Sequence, residues 1–408
     1  MMFLEYAVRG MWYPFLANYL TADRADHGLG FTAGQTGWVL GFAGALGSFL
    51  SPILAGRTAD RFINAEKMLG ILHCLAGGLL ILNASSTTFS TFMLIMLLFS
   101  IVYGPTQSLT NSLALSHLAD REHSYPRTRM WGTIGWIVTS ALFTFVVLRS
   151  PDHATNIGRI PQAMRGAGLL AIGYALFAFF ALPETPPADT APAPLLPLRA
   201  LALLRYPSVL VLTIVAIPVA AISTAYYLNI GPFLSDSVGI PLKMVGPTLA
   251  LAQVSEVGCL FILGPMLKRF GYARVLTIGI AAQALRFAIF AIDPPAAVIC
   301  VTLTLHGVAF ACYFATATLY IERLSPPDIR HSTQTVFGVV LFGIGPALAG
   351  PYSQIFDHLV KHTATGIVPN FKVIWWTQAA IALACALPIA IFFRTASRKQ
   401  IILQPEPV

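Results

Sequence analysis

Most charged positions along the chain fall in connections. Between them run apolar segments of about the length, roughly 20 residues, that a helix needs to cross a bilayer. Twelve such spans are predicted, at 2–20, 35–56, 67–84, 89–116, 129–148, 164–182, 208–232, 244–266, 274–292, 296–320, 333–356 and 372–393. A closed membrane barrel would instead alternate polar and apolar residues over segments of about ten, and that alternation is absent. Prolines recur inside the spans, as at Pro14, Pro105, Pro218 and Pro346. Membrane helices tolerate them because neighbouring groups satisfy the freed backbone. The predicted class is an all-α polytopic membrane protein.

The connection 183–207 stands apart, with six prolines from Pro183 to Pro197. Such a strip cannot bury a core of its own and reads as a linker. It divides the chain into a six-helix bundle at 1–182, the linker 183–207, a second six-helix bundle at 208–393 and a tail at 394–408. A faint internal repeat agrees: Gly56-Arg57-Thr58-Ala59-Asp60-Arg61 follows span 2, and Gly264-Pro265-Met266-Leu267-Lys268-Arg269 follows span 8. Six plus six spans with a Gly-x-x-x-Asp-Arg loop after span 2 resemble the major facilitator superfamily. The resemblance implies two pseudo-symmetric bundles rocking about a site near the membrane midplane, with Asp60 and Arg61 latching one state.

Composition sharpens the class. Hydrophobic residues make up 56% of the chain and charged residues 10%, and the mean hydropathy is +0.72, which excludes water-soluble globular classes. The net charge of +8 at pH 7 is explained by placement, so no nucleic-acid partner is expected. Sixteen of the 25 Lys and Arg fall in the even-numbered connections and the C-terminal tail and seven in the odd-numbered ones. By the positive-inside rule both termini are then cytoplasmic. The remaining two, Arg9 and Arg286, lie within spans. The first span carries Glu5 and Arg9 and no cleavage site, so it reads as retained. The short lead Met1-Met2-Phe3 leaves open a start further upstream. Five cysteines in apolar segments without CxxC spacing read as small buried hydrophobes.

Candidate chemistry comes from the few polar groups inside the spans. Arg129, Thr133 and Trp136, spaced i, i+4 and i+7, share one helical face. Together they offer a cation, a hydroxyl and a stacking surface. The alternative is an interfacial arginine with Trp131 as a belt anchor. Two acids lie well inside spans, Glu5 and Glu256. A carboxyl enclosed by hydrocarbon favours its neutral form because the charged form loses solvation, the property a proton-coupled site needs. Glu256, with Gln253 one turn before it, is the preferred candidate. Glu5 and Arg9 have the i, i+4 order of an ion pair, serving either insertion or gating, and Glu5 could also simply be wet. Arg286 needs an acceptor, with a backbone carbonyl the first choice. His306 reads as a packing residue or a titrating one. Tyr226, Tyr227, Phe310, Tyr313 and Phe314 are aromatic candidates for a planar ligand. No HExxH, Walker loop or nucleophile with a base is found, so neither an enzyme nor a metal or cofactor site is expected.

Four stretches narrow the resemblance: Arg129-Met-Trp-Gly-Thr-Ile-Gly-Trp136, Gln253-Val-Ser-Glu256, Leu285-Arg-Phe-Ala-Ile-Phe290, and the run from Gly307 through Phe310 to Glu322-Arg-Leu-Ser-Pro326. Together they resemble the bacterial nucleoside:proton symporters of the major facilitator superfamily, over nearly the whole chain. The resemblance implies nucleoside import driven by the proton gradient across the bacterial cytoplasmic membrane, by a monomer without a cofactor. Carried over, Arg129 and Thr133 contact the substrate or order its site, Trp136 lies beside the base, and Gln253 and Glu256 bind the ribose or the base edge. Phe310 keeps the aromatic of span 10. The family has a Gln and an Asn on span 7 where this chain has Thr224 and Tyr227, an acid in place of Ala311, and a tyrosine in place of His306. The loss of two amide readers leaves open a sugar or another small polar metabolite as substrate, and, from another class, a membrane sensor that binds without transporting.

Overall fold

A computed structural model describes residues 1–47, 49, 63–118, 121–185, 201–325, 330–363 and 366–393. Asp60 and Arg61, most of the linker and the C-terminal tail lie outside the described residues. Eight of the described helices are long and apolar enough to cross a membrane. One of them, Leu242–Ala291, holds both span 8 and span 9, separated at Gly271, whose φ of 73° breaks the helix. Span 1 is the helix Met2–Thr21, and span 5 falls in Arg121–Val146 except for its last two residues. Apolar side chains such as Phe180 and Phe261 are 84% and 89% exposed. Such surface suits a bilayer and not water.

Among the described residues the chain departs from all-α at one place. Val360–Thr363 and Gly366–Pro369 pair as an antiparallel hairpin between spans 11 and 12, with Val360 opposite Pro369. The segment is too polar for a span and lies between helices, so its backbone groups satisfy one another across a two-stranded ladder.

Two compact units are distinguished. The first comprises Met1–Leu195 with Tyr227–Pro247 and Ala347–His358. Its helices approach closely because glycines face each other. A Cβ on Gly168 would lie 2.6 Å from the Gly77 carbonyl, and one on Gly10 would lie 2.6 Å from Cα of Trp136. Small residues at such crossings let membrane helices gain contact where no hydrophobic drive operates between them. Helix ends are capped by side chains. Thr32 and Gln35 form a capping box at the start of Ala33–Gly37, where Asp357 also accepts from the Gly34 N–H at 2.7 Å and the Thr32 hydroxyl at 3.0 Å. Asp152 caps His153–Ala181, and hydrogen bonds from the Thr155 hydroxyl and N–H hold its carboxyl below the usual range. Asn18 of span 1 donates to the Ser235 hydroxyl at 2.8 Å.

The second unit comprises Leu196–Tyr226, Thr248–Pro346 and Leu359–Val408. An aromatic core fills it: Trp375 is fully buried, stacked on Phe287 at 5.8 Å and met edge-on by Phe290 at 5.4 Å. Polar ties cross the packing, from Gln283 to the Ser223 hydroxyl at 2.7 Å and from the Tyr320 hydroxyl to Ser208 at 2.9 Å. Span 10 contains a π-helical turn at Phe310–Ala315. The Thr316 hydroxyl donates to the Ala311 carbonyl at 3.0 Å, occupying an acceptor within that widened turn.

The glycine crossing gives a stability prediction. In Gly168→Ala the new methyl meets backbone, so spans 3 and 6 must separate at a cost of about 1–3 kcal/mol. Gly173→Ala, which meets nothing within 4 Å, is expected to leave thermal unfolding of the purified protein unchanged, while Gly168→Ala lowers its midpoint.

Candidate functional site

In the first unit, spans 1 and 5 meet along a ladder of aromatic and cationic side chains. The Arg129 guanidinium lies 4.0 Å over the ring of Tyr6, and seven residues further along each helix Trp136 meets Tyr13 edge-on at 5.9 Å. Equal spacing on both strands of the ladder means that the two helices run parallel with matched turns. Gly132 permits the first rung, since a Cβ there would be 2.5 Å from the Tyr6 ring and 2.8 Å from Nη1 of Arg129. Tyr13 also receives the guanidinium of Arg9 at 4.6 Å and lies 6.5 Å from Tyr227. Thr133 and Trp136 are half-buried, whereas Trp131 is 54% exposed, in keeping with a side chain at the bilayer boundary.

Sequence reasoning misplaced Glu5. It is fully buried and does not face water, and its partners are His73 of span 3 and two threonines of span 4 in place of Arg9. A buried carboxyl in the first turn of an apolar helix finds its hydrogen bonds on neighbouring helices, because the apolar side chains of its own helix offer none.

In the second unit, Glu256, His306 and Arg286 form a line. Nη1 of Arg286 is 2.9 Å from Nδ1 of His306, and Nε2 of His306 is 3.7 Å from Oε2 of Glu256. A guanidinium nitrogen can only donate, so Nδ1 accepts and the ring proton sits on Nε2, toward Glu256. The imidazole is therefore neutral in this arrangement. A second proton on Nδ1 would evict Arg286. The 3.7 Å separation exceeds a hydrogen bond but is ion-pair range, so a small displacement makes or breaks the contact. Arg286 is held by His306 and by the faces of Tyr226 and Phe287, at 4.0 and 4.9 Å, contacts that the sequence did not show. His306 is correspondingly more than packing.

Gly307 makes this possible. A Cβ there would lie 2.3 to 2.5 Å from backbone atoms of Ser255 and Glu256, so spans 8 and 10 touch backbone to backbone beside the pair. Phe310 stacks near His306 at 6.5 Å and on Phe314 at 6.0 Å. Gln253 is half-buried, one turn from Glu256. The Thr224 hydroxyl donates to the carbonyl of Ala220 at 3.1 Å, leaving its lone pairs to accept. Thr224 belongs to the second unit and Tyr227 to the first. The arrangement offers a carboxyl faced by a neutral imidazole and backed by a fixed cation. His73, Thr106 and Tyr6 were not singled out, whereas Thr110 was expected to hydrogen-bond between helices or to substrate. Of the first three, only His73 carried a signal, as a titratable residue in the middle of a span.

Comparison with known proteins defines the class. The fold matches the crystal structure of the nucleoside transporter NupG with a TM-score of 0.82, at 23% identity, covering 96% of this chain and 97% of that one. The two chains thus share a fold of membrane-length helices. A family described as "Nucleoside H+ symporter" matches residues 1–398, and the chain belongs to it. It is 30% identical to the "Putative nucleoside transporter YegT" of Escherichia coli K12, covering 97% of this chain and 92% of that protein. It is also 27% identical to the "Xanthosine permease" of the same strain, over 96% and 93% of the two chains. The family is one of transporters, not enzymes.

The geometry around His306 predicts a split between two substitutions. His306→Ala removes the acceptor of a buried cation and is expected to cost about 1.5–3 kcal/mol. His306→Gln keeps both an acceptor and a donor. Thermal unfolding of the two purified variants should show most of the loss recovered in the glutamine form.

Proposed function

We propose that the chain is a proton-coupled nucleoside importer working by alternating access, with Glu256 carrying the coupled proton. The observation that supports this reading most directly is the Arg286–His306–Glu256 line, in which the imidazole is committed to Arg286 and the carboxyl is the group left to change protonation. Protonating Glu256 removes the negative end of that line, so the contact with His306 weakens as the proton binds. A two-position contact of this kind is what a coupled transporter requires.

Substrate contacts are assigned to Arg129, Thr133, Trp136, Thr224, Tyr227, Gln253, Glu256 and Phe310. Trp136, Tyr227 and Phe310 supply planar faces for a base. Arg129, Gln253 and the hydroxyls supply hydrogen bonds to it or to the ribose. Glu5, Arg9, Asp60, Arg61, Arg286 and His306 are given gating or structural roles. The protein works as a monomer in the bacterial inner membrane, with both termini cytoplasmic, the side on which its Lys and Arg concentrate.

Purified protein in vesicles is expected to accumulate labelled uridine or adenosine under an inward proton gradient, and not members of a sugar panel. Accumulation of a sugar in their place would overturn the substrate assignment, and binding without accumulation would favour a sensor. Glu256→Gln should abolish gradient-driven accumulation while sparing exchange between equal pH compartments. Full accumulation in that variant across the pH range removes Glu256 from coupling. Arg129→Ala should weaken nucleoside binding, measured by calorimetry, more than Arg286→Ala does in protein of equal thermal stability. Equal losses would place Arg129 outside the site.

A further inference from the structure

The first unit holds a buried carboxylate–histidine pair to which the transport reading assigns no proton. Glu5 of span 1 and His73 of span 3 are both fully enclosed, with Oε2 and Nε2 3.2 Å apart. The Thr106 hydroxyl is 2.7 Å from Oε1 and the Thr110 hydroxyl 3.0 Å from Oε2. Tyr103 donates to the Glu5 carbonyl at 2.6 Å, and the Tyr174 ring lies 4.2 Å from that of His73.

The hydrogen positions are constrained by their partners. Nδ1 of His73 is 3.0 Å from the Leu69 carbonyl, which can only accept, so Nδ1 carries a hydrogen. Nε2 of a neutral ring would then be bare, without an aligned hydrogen-bond partner, and would turn a lone pair toward a carboxylate oxygen. Such a contact is repulsive unless a proton sits on Nε2 or on the carboxyl. The pair therefore keeps at least one proton, either as an ion pair or as two neutral groups.

Both charge states find partners in the surrounding hydroxyls. Thr106 Oγ1 lies 2.6 Å from the Tyr103 carbonyl as well as 2.7 Å from Glu5. Having one hydrogen, it donates to the carboxylate in one state. In the other it turns to the carbonyl and accepts from a carboxylic acid. Thr110 Oγ1, 3.4 Å from the Tyr174 hydroxyl, can make the same exchange. The titratable and charged groups facing the pair are the Met1 amino group, Tyr6 and Arg9 from span 1, Tyr103 from span 4 and Tyr174 from span 6. Arg129 of span 5 reaches the same end of span 1 through Tyr6. Arg9 lies over Tyr13, so His73 is the basic group in contact with Glu5.

We propose that Glu5 and His73 form a proton-binding site of the first bundle, separate from Glu256, and that its proton is coupled to transport. Loading and releasing it exchanges an ion pair for a differently charged contact among spans 1, 3 and 4. The contrast with His306 is chemical: there Arg286 occupies Nδ1 and forbids a cationic ring, whereas at His73 a backbone carbonyl occupies Nδ1 and permits one.

The test uses the purified full-length protein without substrate. Infrared difference spectra of the protonated-carboxyl stretch are recorded between about pH 4 and about pH 9, the range in which carboxyl and imidazole groups titrate. A carboxyl signal that disappears in Glu5→Gln, survives in Glu256→Gln and shifts its midpoint by about 1–3 pH units in His73→Gln is the expected result. In vesicles with a pH gradient of about one unit, each coupled proton contributes about tenfold to the accumulation ratio. Glu5→Gln should therefore lower the uridine ratio about tenfold while leaving equal-pH exchange intact. A carboxyl signal indifferent to Glu5→Gln overturns the site, as does an unmoved midpoint in His73→Gln, which serves where Glu5→Gln does not fold. Unchanged accumulation in Glu5→Gln overturns the coupling. The infrared arm needs no nucleoside and stands apart from the assignment of Glu256.

Discussion

An ionised side chain taken out of water into a helix bundle costs several kcal/mol unless other groups replace its hydration. That requirement decides which helices of this protein must touch, and where. Glu5 needs donors that span 1 does not provide, so spans 3 and 4 bring His73, Thr106 and Thr110 to it. Arg286 needs an acceptor and aromatic faces, so spans 7 and 10 bring Tyr226 and His306. The apolar packing around these groups, including the Trp375 core, is permissive. Many hydrophobic sequences of similar volume would fill it. The polar contacts are not interchangeable in that way.

Glycine is what lets those contacts close. Gly307 presses span 10 on the backbone of Ser255 and Glu256, which brings the ring of His306 within 3.7 Å of the carboxyl. Gly132 does the same for Arg129 over Tyr6. In each case a missing Cβ is traded for a cation–π or ion-pair geometry, and the site inherits its precision from backbone contact between rigid helices.

The two carboxylate–histidine pairs differ in what holds the far ring nitrogen. Arg286 on His306 fixes a neutral imidazole and directs its proton outward to Glu256. The Leu69 carbonyl on His73 fixes the opposite tautomer and leaves the ring free to become a cation beside Glu5. One residue type thus turns a neutral N–H toward a carboxyl in one place and has room for a second proton in the other, and the difference is set by a neighbour one hydrogen bond away.

Much was legible in the chain alone. The helix-length apolar runs declare a membrane protein because hydrocarbon admits few other backbones. The stretches around Arg129, Glu256, Arg286 and Phe310 carry the symporter family. The sequence also pointed to Glu256, Arg286 and His306 as costly or titratable groups. It did not join them, since residues 20 and 50 positions apart meet only through the crossing of spans 8, 9 and 10. Nor did it find the partner of Glu5, because the nearest cation by helical spacing, Arg9, turns instead to the ring of Tyr13. The hairpin at Val360–Thr363 and Gly366–Pro369 was missed for a similar reason, as short strands in a connection lack a periodic signal. Which residues are confined to hydrocarbon is a property of composition and run length. Which of them share a proton depends on angstrom-scale separations between helices, and those exist only once the helices have packed.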